Sequence, residues 1–390
     1  MTRPLSGIRV LDLTHALAGP SATRLLADLG ADVVKIEPPG VGDTARRLVP
    51  FVFEAMNRGK RSVAVDVRSP DGRDLVRRLA ATSDVFVQSQ RPGKMAEFGL
   101  DRADLAAVNP RLIYASFSGF GHDGPRAHRR GVDAIVQAES GMAALQGSII
   151  GNLSFVDQSA GLALAYAIQG AVLRRERFGE VDQVEVNLLD VAVYLQSAPL
   201  AEFSVTGHRH RQEDYTRRFP AVGVYDTADG ALFLAAYWER DWPPLCAVLQ
   251  RPELETDPRF GTLDARVANL EQLQQILAGL LPARTRGEWI ELLEARGVMA
   301  APFADYDEVL VDPQLARNGT FQQEVIASGA TVTFPRVPYR LSEPGASTGA
   351  APEIGADTLA VVGELGLPDA TVHDLLARGV LAAPAAEVSA

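Results

Sequence analysis

Residues 7–37 read GIRVLDLTHALAGPSATRLLADLGADVVKIE. Gly7 to Leu13 is an apolar, branched run of strand length, and Pro20 suits the first turn of a helix in which Ala22, Leu25, Leu26 and Leu29 recur at i, i+3, i+4 and i+7. After Gly30, the run Ala31 to Glu37 is a second strand. Strand, loop, helix, strand is the pattern of a right-handed βαβ unit in a parallel sheet.

The pattern continues outward from there. Ser62–Asp66, Asp84–Val87 and Arg111–Phe117 read as further strands, with Ser69 and Pro70 opening a helix between the first two. The first 150 residues are therefore expected to form a doubly wound, Rossmann-like α/β sheet, with ligands beyond the carboxyl ends of its strands. The first loop is THALAGP rather than G-x-G-x-x-G, which removes the main support for a nicotinamide enzyme.

From Pro220 the pattern changes. A hairpin around Ala228, Asp229 and Gly230 precedes several helices, one of them opened by a Thr285/Glu288 capping box. The expected organisation is a large domain over 1–200, completed by about 330–390, and a small α/β domain over 220–320. A basic linker, 201–219, lies between them and carries His208, His210, Arg217 and Arg218.

Composition narrows the function. With 390 residues, 47% hydrophobic and 22% charged, the chain has enough apolar sequence for a sizeable core. A net charge of −11 argues against a general nucleic-acid binder, and no apolar run suggests a signal peptide or membrane span, so a cytoplasmic address is expected. Cys246 alone makes neither a disulfide nor a cysteine-rich metal site. The six histidines include no HExxH, and His208 and His210 read as solvated, so no metal is expected.

Two features could carry chemistry. One is Asp157, which stands before a long segment poor in charge and rich in small residues, GLALAYAIQGAV. It reads as a helix N-cap, as a nucleophilic carboxylate kept ionised by the helix's free N–H groups, or as both. The other is a pair of basic loops, Asn57 to Arg61 and the glycine-rich 119–131 with Arg126, His128, Arg129 and Arg130, which together suggest a cradle for an anionic cofactor. Asp133 is a second acid at a helix start. No G-x-S-x-G elbow supports a serine hydrolase.

The motifs PLSGIRVLDLTHALAGPSATRLLADLGADVVKIEPPGVGD, NRGKRSVAVDV, RPGKMAEFGL, NPRLIYASFSGFGHDGP, GVDAIVQAESG and FVDQSAGLALAYAIQGAVLRRERFG resemble the family III coenzyme A transferases over nearly the whole chain. The resemblance implies that Asp157 is the nucleophile, forming a mixed anhydride with an acyl group and then an aspartyl-CoA thioester. It further implies that Asp133 orients Asp157, that Arg130, His15 and Ala18 belong to the CoA site, which Lys60 and Arg61 of the basic loop are expected to join, and that the substrates are acyl-CoA and a free carboxylic acid. It also implies an interlocked homodimer. The related 2-methylacyl-CoA racemases carry a histidine where this chain has Val132, a departure that favours transfer over racemisation. A CoA-binding protein without catalysis is the third reading. Leu17, Pro38 and Glu97 also depart from the formyl-CoA enzyme, which argues against a formate or oxalate specialist.

Overall fold

A computed structural model describes residues 3–341 and 349–384. Residues 342–348 and 385–390 of the expected 330–390 segment lie outside this range. The chain divides into two compact units, residues 1–143, 149–198 and 320–390 in the first and 144–148 with 199–319 in the second.

The first unit is built on a seven-stranded sheet. Strands β1 (Arg9–Leu13), β2 (Asp32–Glu37), β3 (Arg61–Val65), β4 (Val85–Gln88), β5 (Ile113–Ser118) and β6 (Gln183–Asn187) run parallel in the order 3-2-1-4-5-6. That order is the one expected of a doubly wound sheet. A two-residue strand, Leu381–Ala382, adds antiparallel to β3.

The period-2 rule, with both faces of the sheet covered, explains why the central strands are largely apolar. Leu11, Leu13, Val34, Ile36, Val63, Val65 and Phe86 face one core, whereas Val10, Val33, Val85, Val87 and Ile113 face the other. Helix α1 (Ala18–Asp28) covers the second face with Ala22, Leu25 and Leu26. Helix α2 (Pro70–Ala81) covers the first with Leu75, Val76 and Leu79, and Ser69 Oγ caps it by accepting from Gly72 N at 3.0 Å. The C-terminal helices Thr358–Gly363 and Asp369–Ala377 join that same core through Val361, Val362 and Leu375.

Two further helices position the acids. Helix α3 (Asp133–Glu139) follows the glycine-rich loop, and α4 (Phe155–Phe178) runs for 24 residues beside α1. Their approach depends on Gly161, where a Cβ would stand 2.8 Å from the Ser21 side chain and 3.0 Å from the Ala18 carbonyl oxygen. The outer side of α4 carries Leu162, Tyr166 and Leu173, each more than half exposed.

In the second unit, β7 (Val222–Asp226), β8 (Ala231–Ala235) and β9 (Met299–Pro302) form an antiparallel sheet over a core that includes Trp242, Cys246, Leu277 and Trp289. Thr285 and Glu288 form the capping box that their spacing predicts. The third strand of this sheet, MAAP, carries no alternation in sequence that would mark it as a strand. The basic segment is largely ordered into helices: Ser197–Thr206 is α5 and Gln212–Arg218 is α6. Among the described residues, no helix is long and apolar enough to cross a membrane.

Candidate active site

Where β1 ends, the chain crosses a polar layer that fixes the loop Thr14–Leu17. Asp12 Oδ1 accepts from the Thr14 N–H at 2.9 Å and from its hydroxyl, and Oδ2 accepts from Thr23 Oγ1 at 2.6 Å and Lys60 Nζ at 3.0 Å. Lys35 Nζ donates to the Thr14 carbonyl at 2.9 Å and pairs with Asp43 Oδ2 at 3.0 Å. Asp43 Oδ1 in turn accepts from the Ala16 and Ala45 N–H groups at 3.1 and 2.9 Å. Ala16 has φ 66°, a left-handed conformation that costs a residue with a Cβ about 1–2 kcal/mol, and the Asp43 contact offsets it. His15 is anchored twice by Ser89, whose Oγ accepts from its N–H at 3.0 Å and lies 2.9 Å from Nδ1.

Beyond this layer, at the carboxyl ends of β1, β2 and β3, lies a cavity of about 460 Å3. Its walls include Thr14, His15, Pro38, Val67, Arg68 and Phe98, a mixture of flat apolar surface and a few polar groups. Asp157 is not among the lining residues.

The acids come together at the start of α4. Ser154 takes a left-handed conformation, φ 42°, and Asp157 is the third helical residue, so it is not the N-cap that its position in the sequence suggested. Its own N–H donates to Asp133 Oδ2 at 2.9 Å. Asp133, from α3, thereby satisfies a first-turn donor of another helix. The other oxygen, Asp133 Oδ1, accepts from Gln137 Nε2. Gln137 is fully buried and clamps Ile150, donating to its carbonyl at 3.0 Å and accepting from its N–H at 2.9 Å. The entry to α3 is held by a close crossing of the glycine loop: a Cβ on Gly119 would meet Gly131 Cα at 2.6 Å.

Among the described residues, the Asp157 carboxylate accepts no hydrogen bond. Burial, and secondarily the neighbouring Asp133 carboxylate, push its pKa up to about 7. The sequence leads us to expect backbone donors holding this carboxylate ionised; among the described residues none reaches it, and the Asp157 N–H is turned to Asp133 instead. A carboxylate of this kind is half protonated near neutrality and weakly solvated. It can act as a nucleophile or exchange a proton.

The structure brings some of the other candidate residues to this region and not others. Ala18 opens α1 with its carbonyl against Gly161, one helical turn from Asp157, and His15 lines the cavity. Lys60 does not reach it: its ammonium is buried and uses its three protons on Asp12, the Pro20 carbonyl and Asn57 Oδ1. Arg61 begins β3 at the opposite end of the sheet, paired with Asp32 and Glu364. Arg130 is exposed just before α3, while Arg126 and Arg129 both pair with Glu139. The two basic loops therefore do not assemble one cradle, since most of their charges meet local acids. Gln137 had been missed; its only sequence signal is the four-residue spacing from Asp133 on one helix face.

The profile of CoA-transferase family III matches residues 5–358. The chain belongs to that family. It is 36% identical over 363 residues to the probable fatty acyl-CoA transferase Rv3272 of Mycobacterium tuberculosis, covering 87% of this chain and 92% of that one. It is 33% identical to the succinyl-CoA:glutarate CoA-transferase of Mus musculus over 97% of this chain and 90% of that protein. The crystal structure of a CAIB/BAIF family protein from Brucella suis superposes with a TM-score of 0.86 at 32% identity, covering 94% of this chain and all of that one. That of Rv3272 gives 0.82 at 36% identity, covering 92% and 99%. As a family III CoA-transferase the chain is an enzyme acting on acyl-CoA.

Proposed function

We propose that this family III CoA-transferase moves CoA from an acyl-CoA to a free carboxylic acid through covalent intermediates on Asp157. An Asp157 oxygen attacks the thioester carbonyl, and the CoA thiolate leaves, giving an acyl-aspartyl anhydride. The thiolate then attacks the aspartyl carbonyl, releasing the donor carboxylate and forming an aspartyl-CoA thioester. The acceptor carboxylate attacks that carbonyl, expelling the thiolate and forming a second anhydride. Attack of the thiolate on the acceptor acyl carbon yields the new acyl-CoA and restores Asp157.

The observation that carries the reading is the partly buried Asp157 carboxylate, which accepts no hydrogen bond among the described residues and whose pKa is pushed up to about 7 by burial and by Asp133. Such a group loses little solvation when it attacks, unlike a surface carboxylate. The cavity at His15 supports a place for the nucleotide end of CoA, and the backbone N–H groups at the start of α1 are the proposed partners of the tetrahedral oxyanion. Asp133 and Gln137 act as positioning residues. The homodimer, interlocked as the resemblance implies, is supported by the exposed Leu162, Tyr166 and Leu173 on α4, an apolar face that a second copy would cover.

The test is hydroxylamine trapping. Incubation with a panel of acyl-CoA thioesters, succinyl-CoA with glutarate as acceptor first, followed by hydroxylamine and peptide mass spectrometry, should place a hydroxamate on Asp157. A hydroxamate elsewhere, or α-hydrogen exchange in deuterated water with no CoA transfer, would sink the reading and favour the racemase.

A second expectation concerns pH. For the free enzyme, kcat/KM should fall on the acid side with a midpoint near 7, as Asp157 takes up a proton. Asp133→Asn removes the neighbouring charge that helps to raise the Asp157 pKa, so the midpoint should move to lower pH. The amide also meets the Gln137 donor, which should destabilise the fold by about 1–3 kcal/mol. An unchanged midpoint would show that the two carboxylates do not interact.

A further inference from the structure

Helix α5 and helix α6 are joined by a short loop that brings two histidines and two carboxylates together. His208 Nε2 lies 3.3 Å from Asp214 Oδ2, and His210 Nε2 lies 3.1 Å from Glu202 Oε2. The two imidazoles stand edge to face, with centroids 4.7 Å apart at 85°. One donor atom each from His208, His210 and Asp214 lies within 4.8 Å of the other two. His210 Nε2 is also buried without a geometrically sound hydrogen bond, although Glu202 is close.

We propose that His208, His210, Asp214 and Glu202 bind a divalent transition-metal ion of the zinc type. Tetrahedral zinc with bonds of about 2.0–2.2 Å separates neighbouring donors by about 3.3–3.6 Å. The two histidine–carboxylate contacts already sit close to that edge length. The remaining separations among His208, His210 and Asp214, up to 4.8 Å, need only side-chain rotation to close around an ion, and Glu202 reaches the set through its contact with His210. Two neutral imidazoles and two carboxylates carry a charge of minus two, which cancels that of the ion. Nitrogen donors in half of the set select zinc, nickel or copper over calcium and magnesium, which prefer oxygen alone. The ion would fasten the C-terminal turn of α5 to the first turn of α6, so its role is structural.

No sequence signature marks this site. The histidines are separated by one residue in a loop, and Glu202 comes from the preceding helix. The site lies within the second unit and involves neither Asp157 nor its partners, so it stands or falls apart from the proposed reaction.

The competing explanation is that each histidine is protonated and ion-paired with its carboxylate, with no metal involved. Tag-free full-length protein, stripped with a chelator, should take up one equivalent of Zn2+ in competition with a chromophoric chelator. It should also unfold at a higher temperature when Zn2+ is added, because an ion that binds only the folded state stabilises it. His208→Ala with His210→Ala should weaken that equivalent at least about tenfold and abolish the thermal shift, and Mg2+ should produce neither effect. If the double variant unfolds early even without metal, Glu202→Gln should still weaken Zn2+ binding. Equal Zn2+ uptake and equal thermal shifts in wild type and variants, or no uptake by the wild type, would overturn the site.

Discussion

Asp157→Asn should abolish CoA transfer while leaving the folded chain more stable than the wild type at pH 8. If Asp157 is the nucleophile, the amide cannot form the anhydride, and kcat should fall by at least about 1,000-fold, about 4 kcal/mol in the barrier. CoA binding should change by no more than about tenfold, about 1.4 kcal/mol, because no other contact is removed. The stability gain follows from linkage. The folded pKa of Asp157 is about 7, above the ordinary 3.8, so the folded state holds more protons than the unfolded state between those values. Wild-type stability therefore falls as pH rises from about 4 to about 7, by up to roughly 4 kcal/mol, and stays low above that. The neutral amide carries no such penalty. Denaturant unfolding of the two proteins should show a difference that is small at pH 4, grows through pH 7 and then levels off. A difference that does not vary with pH would mean that Asp157 is not desolvated in the folded chain. Retained turnover would remove the proposed mechanism. A nucleophile that destabilises its own fold is the usual relation between activity and stability.

The elements that were legible in sequence are those whose cause is local. The apolar, branched runs of β1 and β2 and the i, i+3, i+4 spacing in α1 report burial directly, so the doubly wound sheet can be read from residues 7–37. Asp157 was legible as an acid at a helix start, and Asp133 likewise. Their bonding was not, because the Asp157 N–H finds its acceptor 24 residues earlier on another helix. Only the fold decides which of two acids is the cap and which is left without donors. The same limit applies to the basic loop at Asn57–Arg61. As sequence it is a run of exposed cations, but the parallel sheet sets Lys60 beside Asp12, 48 residues away, and Arg61 beside Asp32. Charge in a loop is thus a weak guide to ligand binding when acids from neighbouring strands are close enough to neutralise it.

Lys60→Met should be among the most destabilising single changes in the first unit, and that expectation separates a structural lysine from a ligand-binding one. The Lys60 ammonium and the Asp12 carboxylate are both fully buried, 3.0 Å apart. Burial pushes the Lys60 pKa down to about 8, an effect that Asp12 opposes and Lys35 adds to. Burial by itself would raise Asp12, but the charges of Lys60 and Lys35 and the hydroxyls of Thr14 and Thr23 outweigh it and hold the carboxyl at about 2. At neutral pH both groups are therefore charged, and each is satisfied by the other and by fixed donors and acceptors. Methionine fills much of the volume but leaves the carboxylate in the core with one fewer cation, which for a broken buried pair costs about 3–5 kcal/mol. The loss should be visible as a lowered denaturation midpoint with an unchanged denaturant slope. Adding Asp12→Asn should recover part of it, since a neutral pair leaves no buried charge, and the two changes should be far from additive. The loop Thr14–Leu17 hangs from Asp12, so acyl-CoA affinity should weaken together with stability. If Lys60→Met weakened acyl-CoA binding while leaving the unfolding free energy within about 0.5 kcal/mol of wild type, a range typical of surface substitutions, Lys60 would be a ligand contact rather than part of the buried network.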